Sequence, residues 1–380
     1  MIQQFEEEFA AKFQHRFAVG FPYGRTALFC LLRALGVSGK EVIVPAYTCV
    51  VVPHSVVRSG NEPVFIDCCD HDCNMDLIQA SDAINSKTAA LIATSIFGSP
   101  INLDQLNNIQ SKYPQLIIVQ DCAHSFAATW SDKPVQREGH AAIYGLNVSK
   151  LISSVFGGMV GTDDPMLAQE LISIRDKEIQ RSTVWTDCMR RLYLLLCKAA
   201  FSRSLYRFTY LLKKREQLAR WTKYYDQSCI SMPKDWLEQM SNFQAAIGIE
   251  QLPHFDEFIL HRRETARYYR SQLESLPPWI TLMPDTEGCT YSHFTLFSPR
   301  RGQIEAAMSK RGVEVGLVID YCVPDFDAYR VRTGARYNYP ISRRLAAQAF
   351  NLPIFPGVNR SHVIGALGDS IAEIASTIAR

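Results

Sequence analysis

Lys150 lies in a segment whose surroundings favour chemistry at its amine. It follows an apolar run over residues 141–145 and precedes Gly157-Gly158, where a second run begins, so we expect a constrained loop. In a desolvated pocket the pKa of this lysine would fall, and the neutral amine could form a Schiff base with a carbonyl compound. A lone lysine on a loop is usually a solvated side chain, and the residue by itself leaves both interpretations open.

Asp121 ends another apolar run, over residues 116–121, at the edge of a sheet where α/β proteins bind ligands. A carboxylate at that edge can keep a pyridine nitrogen protonated, which makes such a ring an electron sink. The alternative is an aspartate that caps the next helix. His124, three residues further on, would face the same pocket or lie on the side of that helix.

Gly24, Arg25 and Thr26 form a candidate phosphate site. A glycine turn that opens a helix leaves backbone N–H groups free at the positive end of the helix dipole. The hydroxyl of Thr26 would add one more donor. An ordinary capped helix start has the same sequence pattern, so this turn also has two interpretations.

The elements that must position these residues alternate between short strands and helices. Several of the apolar runs are continuous, which is typical of strands buried on both faces. The predicted strands are 42–45, 63–67, 89–94, 116–121, 141–145 and 158–162. The predicted helices are 2–14, 26–35, a mostly helical and basic stretch over 165–225, a long stretch over 240–276 broken at Pro253, and 361–379. We therefore predict an α/β fold with a mainly parallel mixed sheet flanked by helices.

Length and composition favour an ordinary globular protein of two domains. The chain has 380 residues, of which 47% are hydrophobic and 21% charged. We predict a large domain over 1–248 and a small α+β domain over 249–380. The first residues show no secretory signal, which makes the cytoplasm the expected compartment, and a disulfide framework is not expected among the eleven cysteines.

Seven segments, spread in order along nearly the whole chain, resemble the DegT/DnrJ/StrS sugar aminotransferases. These are fold-type I enzymes that use pyridoxal 5′-phosphate (PLP), and they share the order of phosphate turn, aspartate and lysine. The segments are Gly24–Leu28, Val44–Thr48, Pro63–Asp67 with Asn74–Asp76, Gln120–His124, Ser149-Lys150, Met240–Arg263 and Asn351–Pro356.

The resemblance implies a PLP-dependent aminotransferase in which Lys150 is the Schiff-base lysine and general acid/base, with Asp121 and His124 as its catalytic partners. The cofactor-binding residues implied are Gly24, Arg25, Thr26, Cys49, Asp121, His124, Ser149 and Lys150. His293 and Tyr321 fall on the substrate side. Glutamate would donate the amino group to a keto-sugar, for which a nucleotide-linked sugar is favoured, and the active unit would be a homodimer.

Several residues depart from the family pattern around the cofactor. Cys49 replaces an aromatic residue, Gly145 replaces a serine, and Leu237 and Gln239 replace the Asn and Arg that a neighbouring subunit offers. These departures keep a second hypothesis open, an aminotransferase for a non-nucleotide ketone such as a cyclitol, a lipid-linked or a natural-product intermediate. A non-catalytic PLP-fold partner protein is a third hypothesis, and retention of Asp121 and Lys150 argues against it.

Two further features have ambiguous patterns. Cys68 to Cys73 resembles a metal site, but the family has an ordinary strand-to-turn connection there, so we predict no metal. Residues 180–225 contain eleven Lys or Arg and two acidic residues, a net charge of +9 in a chain of net charge +2. With its interleaved aromatics, this segment is either a docking surface for an anionic membrane or polyphosphate, Arg190 and Arg191 included, or a helical hairpin whose aromatics lie in the core and whose Lys and Arg are solvated. No nucleic-acid motif accompanies it.

Overall fold

A seven-stranded sheet forms the centre of the protein, as seen in a computed structural model that describes residues 1–200, 227–333 and 338–378. Across the sheet the strands are β1 (Phe17–Phe21), β9 (Gly158–Thr162), β8 (Ala141–Gly145), β5 (Ile117–Asp121), β4 (Thr88–Thr94), β2 (Glu41–Pro45) and β3 (Glu62–Ile66). The five strands from β8 to β3 pair in parallel, whereas β9 is antiparallel to both of its neighbours. The predicted fold class is therefore confirmed, and all six predicted strands are present.

The strand of this sheet that the sequence did not predict is β1. It pairs with β9 along one edge, from Phe17 opposite Thr162 to Phe21 opposite Gly158. Its five residues are wedged between the end of the first helix and the turn at Gly24, so their pattern is too short to be separated from a loop.

Helices cover both faces of this sheet, because alternate residues of each strand point to opposite sides. In β2, for example, Val42 and Val44 enter one apolar core and Ile43 enters another. The helices of the first part of the chain are α1 (Ile2–Lys12), α2 (Gly24–Ala34), α3 (Val51–Arg58), α4 (Leu77–Ala83), α5 (Leu103–Lys112), α6 (Pro165–Glu178) and α7 (Val184–Ala200). Two short strands, β6 (Thr129–Trp130) and β7 (Lys133–Pro134), form a small hairpin outside the sheet.

The C-terminal part has a small antiparallel sheet and an apolar core of its own. The sheet consists of β10 (Thr281–Leu282), β11 (Phe294–Phe297) and β12 (Ala349–Leu352). The helices here are α8 (Asn242–Gln251), α9 (Phe255–Gln272), α10 (Arg301–Lys310), α11 (Asp327–Thr333), α12 (Pro340–Gln348) and α13 (Arg360–Ile378). Helix α9 joins the two parts, since Phe255 packs in a core of the large sheet and Tyr269 in the core of the small one. The domain boundary at 248/249 stays a prediction.

The basic segment is described only in part. Helices α6 and α7 confirm the helical prediction up to residue 200, and the prediction for residues 201–225 lies outside the described residues. Among the helices that the structure describes, none has the length and apolar character needed to cross a membrane.

Candidate active site

The loop that carries Lys150 connects β8 to β9 and is held closed by its own backbone. The N–H of Leu146 donates to the carbonyl of Gly157 at 2.9 Å, and the N–H of Val148 donates to that of Val155 at 3.1 Å. From outside the loop, the side chain of Gln244 in α8 donates to the carbonyl of Phe156 at 2.6 Å. The expectation of a constrained loop is confirmed.

The side chain of Lys150 runs back over the end of β8. A methyl group added at Gly145 would lie 3.4 Å from Cε of Lys150 and 3.6 Å from Cβ of Ala123, which is ordinary van der Waals contact. Gly145 therefore lies between the side chain of Lys150 and Ala123, two residues after Asp121.

Asp121 is the last residue of β5 and is buried. One of its carboxylate oxygens accepts a hydrogen bond from the Thr94 hydroxyl at 3.2 Å, and the other accepts from the N–H of Ala123 at 3.1 Å. These donors orient the carboxylate at the carboxyl edge of the sheet, as the sequence predicted. The alternative of a helix cap is not realised, because no regular helix begins after Asp121.

Burial shifts the pKa values of Lys150 and Asp121 in opposite directions. It lowers the pKa of Lys150, while the Cys49 thiol and the Asp121 carboxylate favour its charged form and oppose the shift. Burial also raises the pKa of Asp121, against the stabilising effects of the Ala123 N–H, Lys150 and Thr94. The two groups thus sense each other's charge inside one pocket, where the neutral amine of Lys150 is easier to obtain than in water.

Helix α2 begins at the predicted phosphate turn, and no side chain caps its first turn. A methyl group at Gly24 would lie 3.2 Å from Cα of Gly145, and one at Gly158 would lie 2.6 Å from Cα of Gly24. Gly158 therefore has no room for a side chain, and the start of α2 lies against the lysine-bearing strand end. An uncapped helix start favours an anion through its N–H groups and its dipole.

The other two residues of the turn differ in their placement. Burial, and then the charge of Arg25, lower the pKa of His54 to about 4, so the guanidinium lies near that imidazole. The hydroxyl of Thr26 is buried and donates to the carbonyl of Trp236 at 2.9 Å. The proton of this hydroxyl is thus directed toward the segment around Trp236, and a role for Thr26 at a phosphate stays a prediction.

Tyr321 contacts the residue that follows Cys49, although the two are far apart in the sequence. Cys49 lies between β2 and α3, and its thiol acts on the charge of Lys150. The N–H of Val50 donates to the hydroxyl oxygen of the buried Tyr321 at 3.1 Å. The structure therefore places the predicted substrate residue Tyr321 one residue from the predicted cofactor residue Cys49.

The rings of His124 and His293 lie against each other beside the lysine, with centroids 5.0 Å apart. The N–H of Phe97 donates to Nδ1 of His124 at 3.4 Å, which leaves the proton of the neutral ring on Nε2. Burial and then the charge of Lys150 lower the pKa of His124 well below its usual range and that of His293 to about 3. Both rings are therefore neutral near pH 7, and both sense the lysine.

The segment that carries His293 contacts the segment after β4 and the β6–β7 hairpin through two glycines. The N–H of Thr290 donates to the carbonyl of Gly98 at 3.0 Å, and the N–H of Thr129 donates to that of Gly288 at 3.2 Å. A methyl group at Gly98 would lie 2.6 Å from Oγ1 of Thr290, and both glycines have positive φ values, 90° and 77°. A side chain at either glycine would push His293 away from His124.

Ser149 lies in the turn just before the lysine and is exposed. Its hydroxyl and its N–H both donate to Oδ1 of Asn147, at 2.7 and 2.9 Å. In this arrangement Ser149 shapes the turn, and its predicted role as a cofactor ligand remains to be tested.

The cysteine-rich loop brings three potential metal ligands together. Within the described part of the chain, ligand atoms of Cys69, His71 and Asp72 lie within 4.8 Å of one another. The same loop is closed by its own hydrogen bonds, because the N–H of Asn74 donates to Asp72 at 3.0 Å and that of Cys69 donates to the Asn74 carbonyl at 2.8 Å. The expectation of no metal stays a prediction.

A chain of hydrogen bonds that the sequence analysis missed connects the phosphate turn to the lysine loop. Arg190 in α7 is only 3% exposed and donates to Oδ2 of Asp235 and to Oε1 of Gln244, both at 2.8 Å. The hydroxyl of Tyr23, just before α2, donates to the other oxygen of Asp235 at 2.7 Å. Since Gln244 also holds the carbonyl of Phe156, one arginine supports both sides of the pocket.

The assignment of Arg190 to a basic outer surface is therefore wrong. Its partners are 45 and 54 residues away along the chain, so no local pattern identifies them. A signal did exist for Gln244, since Ser241 and Gln244 form a capping box at the start of α8.

Leu237 and Gln239, in the segment before α8, form backbone hydrogen bonds with Gln180, in the segment after α6. The N–H of Gln180 donates to the carbonyl of Leu237 at 2.8 Å, and the N–H of Gln239 donates to that of Gln180 at 2.7 Å. The predicted homodimer remains a prediction.

The groups around Gly145 fit PLP. An amine suits the aldehyde, a buried carboxylate suits the pyridine nitrogen, and an uncapped helix start suits the phosphate. Lys150, Asp121 and the first turn of α2 supply one of each, and glycines at 24 and 158 allow the start of α2 to lie against the end of β8.

Comparisons with known proteins agree with this chemistry. The sequence model of the DegT/DnrJ/EryC1/StrS aminotransferase family matches residues 1–367. GDP-perosamine synthase of Escherichia coli O157:H7 is 24% identical over 375 residues, which are 96% of this chain and 87% of that protein.

Two solved structures have the same fold. The crystal structure of Streptomyces venezuelae DesV in complex with a ketimine intermediate has a TM-score of 0.76 and 24% identity, and it covers 98% of this chain and 89% of that one. The PLP form of a putative sugar aminotransferase, Spr1654 from Streptococcus pneumoniae, has a TM-score of 0.75 and 19% identity, over 98% and 90% of the two chains.

Proposed function

The chain belongs to the DegT/DnrJ/EryC1/StrS aminotransferase family, and on that premise we propose that it transfers an amino group from glutamate to a nucleotide-linked keto-sugar, with Lys150 as the Schiff-base lysine. It is an aminotransferase of a family that acts in amino-sugar synthesis and uses PLP. The observation that carries the proposal is the convergence of Lys150, Asp121 and the start of α2 around Gly145.

When bound, PLP supplies a protonated pyridine ring that accepts the electron pair released when a C–H bond of the amino compound breaks. Asp121 would hold the proton on the ring nitrogen. Its carboxylate is oriented for this task by Thr94 and Ala123, and burial strengthens its interaction with a positive charge in the pocket.

Lys150 would have two tasks, the covalent attachment of the cofactor and the transfer of protons. Its lowered pKa favours both, because an amine must be neutral to act as a nucleophile or as a base. The closed loop and Gln244 limit where Nζ can reach, so that proton transfer takes place at a defined position.

His124 and His293 would line the side on which the sugar binds. Because both imidazoles are neutral near pH 7, they can exchange hydrogen bonds with sugar hydroxyls without adding charge beside the lysine. The identity of the relatives supports a nucleotide-linked sugar, since the Escherichia coli protein is a GDP-perosamine synthase.

Replacement of Lys150 by alanine tests the central assignment. We expect Lys150→Ala to fold, to lose the visible absorbance of covalently bound PLP, and to lose turnover by about 10²–10⁴-fold or more, the usual contribution of a general acid/base. Adding methylamine should restore part of the proton transfer. The measurements are absorbance spectra and the formation of 2-oxoglutarate from glutamate.

Lys112→Ala is the matched control, because Lys112 is an exposed lysine at the end of α5. It should keep both absorbance and turnover. Full activity of Lys150→Ala would refute the assignment of the lysine, whereas normal spectra with turnover only on a cyclitol or a lipid-linked ketone would refute the proposed substrate and leave Lys150 in place.

A further inference from the structure

Helix α7 buries a polar side chain and exposes its apolar face, which is the reverse of a helix that covers a core. The only fully buried residue in it is a charged one, Arg190. Six large apolar residues of the same helix are between 39% and 83% exposed, and they are Val184, Trp185, Met189, Leu192, Leu195 and Leu196.

These six residues form one stripe along the helix. Their spacing of three and four residues places them on a single side over about three turns. A continuous exposed stripe of this kind marks an interaction site more often than scattered apolar residues do.

The orientation of α7 is fixed by contacts on its other side. Arg190 is held by Asp235 and Gln244, the ring of Tyr193 lies 4.8 Å from that of Phe156, and the guanidinium of Arg191 lies 4.2 Å from the ring of Phe243. Rotating the helix to bury its apolar stripe would expose these contacts and break a buried ion pair. The stripe therefore faces outward as a consequence of the fold.

Positive charge accompanies the stripe. Arg181 and Lys198 are exposed near the two ends of α7, and seven more Lys or Arg occur between residues 203 and 223, with a single acidic residue, Glu216, among them. An apolar stripe flanked by cations has the composition of helices that lie in the interface of an anionic membrane.

We propose that the outer face of α7 docks this enzyme on an anionic lipid surface, with the leucines and Trp185 in the interface and the flanking cations near the headgroups. A second copy of the chain is the less favourable occupant. In a two-fold symmetric dimer the same patch meets itself, so the exposed Arg181 and Lys198 at the two ends of α7 would face cations of the second copy. A leaflet of anionic lipid instead offers opposite charge together with an apolar layer.

Co-sedimentation with lipid vesicles tests the proposal on the full chain. The two vesicle types are phosphatidylcholine alone and an equal mixture of phosphatidylcholine and phosphatidylglycerol. At low salt we expect at least about tenfold more bound protein on the mixed vesicles, because each cation near the surface adds to the attraction. Binding should weaken at high salt, which screens the charges.

Two double variants distinguish vesicle binding through the α7 stripe from nonspecific binding by any exposed apolar surface. Leu192→Ala/Leu195→Ala should reduce binding to mixed vesicles by about tenfold or more while turnover in solution is unchanged. Ile78→Ala/Leu260→Ala removes a comparable amount of exposed apolar surface from α4 and α9 and should bind like the natural protein.

Three results would overturn the proposal. One is no binding to mixed vesicles at low salt, and another is an equal loss in both double variants. The third is a change in molar mass in solution for Leu192→Ala/Leu195→Ala without a change in vesicle binding, which would make the face a contact between subunits.

Discussion

Helices α2 and α7 are both rich in leucine, yet the fold uses them in opposite ways. In α2 every residue from Thr26 to Leu32 is buried, and its polar start is half-buried against the end of β8. In α7 the leucines are largely exposed and the buried feature is an arginine. The two helices meet at Asp235, which accepts from Tyr23 on one side and from Arg190 on the other.

The difference shows that apolar content does not decide which face of a helix is buried. A buried guanidinium is stable only when its charge and its donors are satisfied, and Asp235 and Gln244 do this for Arg190. That requirement outweighs the gain from burying the leucines of α7, which instead become available to another surface.

Identical substitutions in the two helices should have very different effects on stability. Leu28 is 1% exposed and Leu195 is 64% exposed, so Leu28→Ala leaves a cavity and Leu195→Ala does not. We expect the free energy of unfolding to fall by about 2–5 kcal/mol for Leu28→Ala and by no more than about 0.5 kcal/mol for Leu195→Ala. Chemical denaturation measures both, and comparable losses would show that α7 is packed in solution.

Adjacent arginines of α7 allow the buried contact to be tested. Arg190→Met leaves the carboxylate of Asp235 without its cation, which should lower the free energy of unfolding by about 2 kcal/mol or more, given that Asp235 is 26% exposed. Turnover should also fall, because Tyr23 and Gln244 lose a shared support. Arg191→Met is the control, since Arg191 is 54% exposed, and its cost should stay near 0.5 kcal/mol.

Burial of His293 should make the free energy of unfolding depend on pH. The pKa of His293 is about 3 when folded and near 6.5 when unfolded, so between these values the unfolded state binds a proton that the folded state does not. Stability therefore falls as the pH drops below 6.5, by up to about 1.4 kcal/mol per pH unit from this group. His293→Gln should flatten the decline by that amount in denaturation curves recorded from pH 7 to pH 5. Equal slopes in the two proteins would mean that the imidazole is solvated.

The sequence predicted the parallel strands and the residues at their ends, because continuous apolar runs and terminal polar residues are local patterns. Asp121 and Lys150 belong to this class. Arg190, Asp235 and Gln244 do not, since each satisfies a group far away in the chain. Likewise, β1 is a strand because Phe17–Phe21 pairs with β9, and a run of five residues is too short to predict that pairing.

Gly98 and Gly288 help to fix the relative position of His124 and His293. They hold the segment that carries His293 against the segment after β4 and against β6, so the fold itself places His293 beside His124. The loss of conformational entropy needed to bring the two halves of the pocket together is therefore incurred once, during folding. Under the proposed placement of the sugar beside these histidines, each catalytic cycle would begin from a preorganised surface, and the binding energy of the sugar would not be consumed in assembling it.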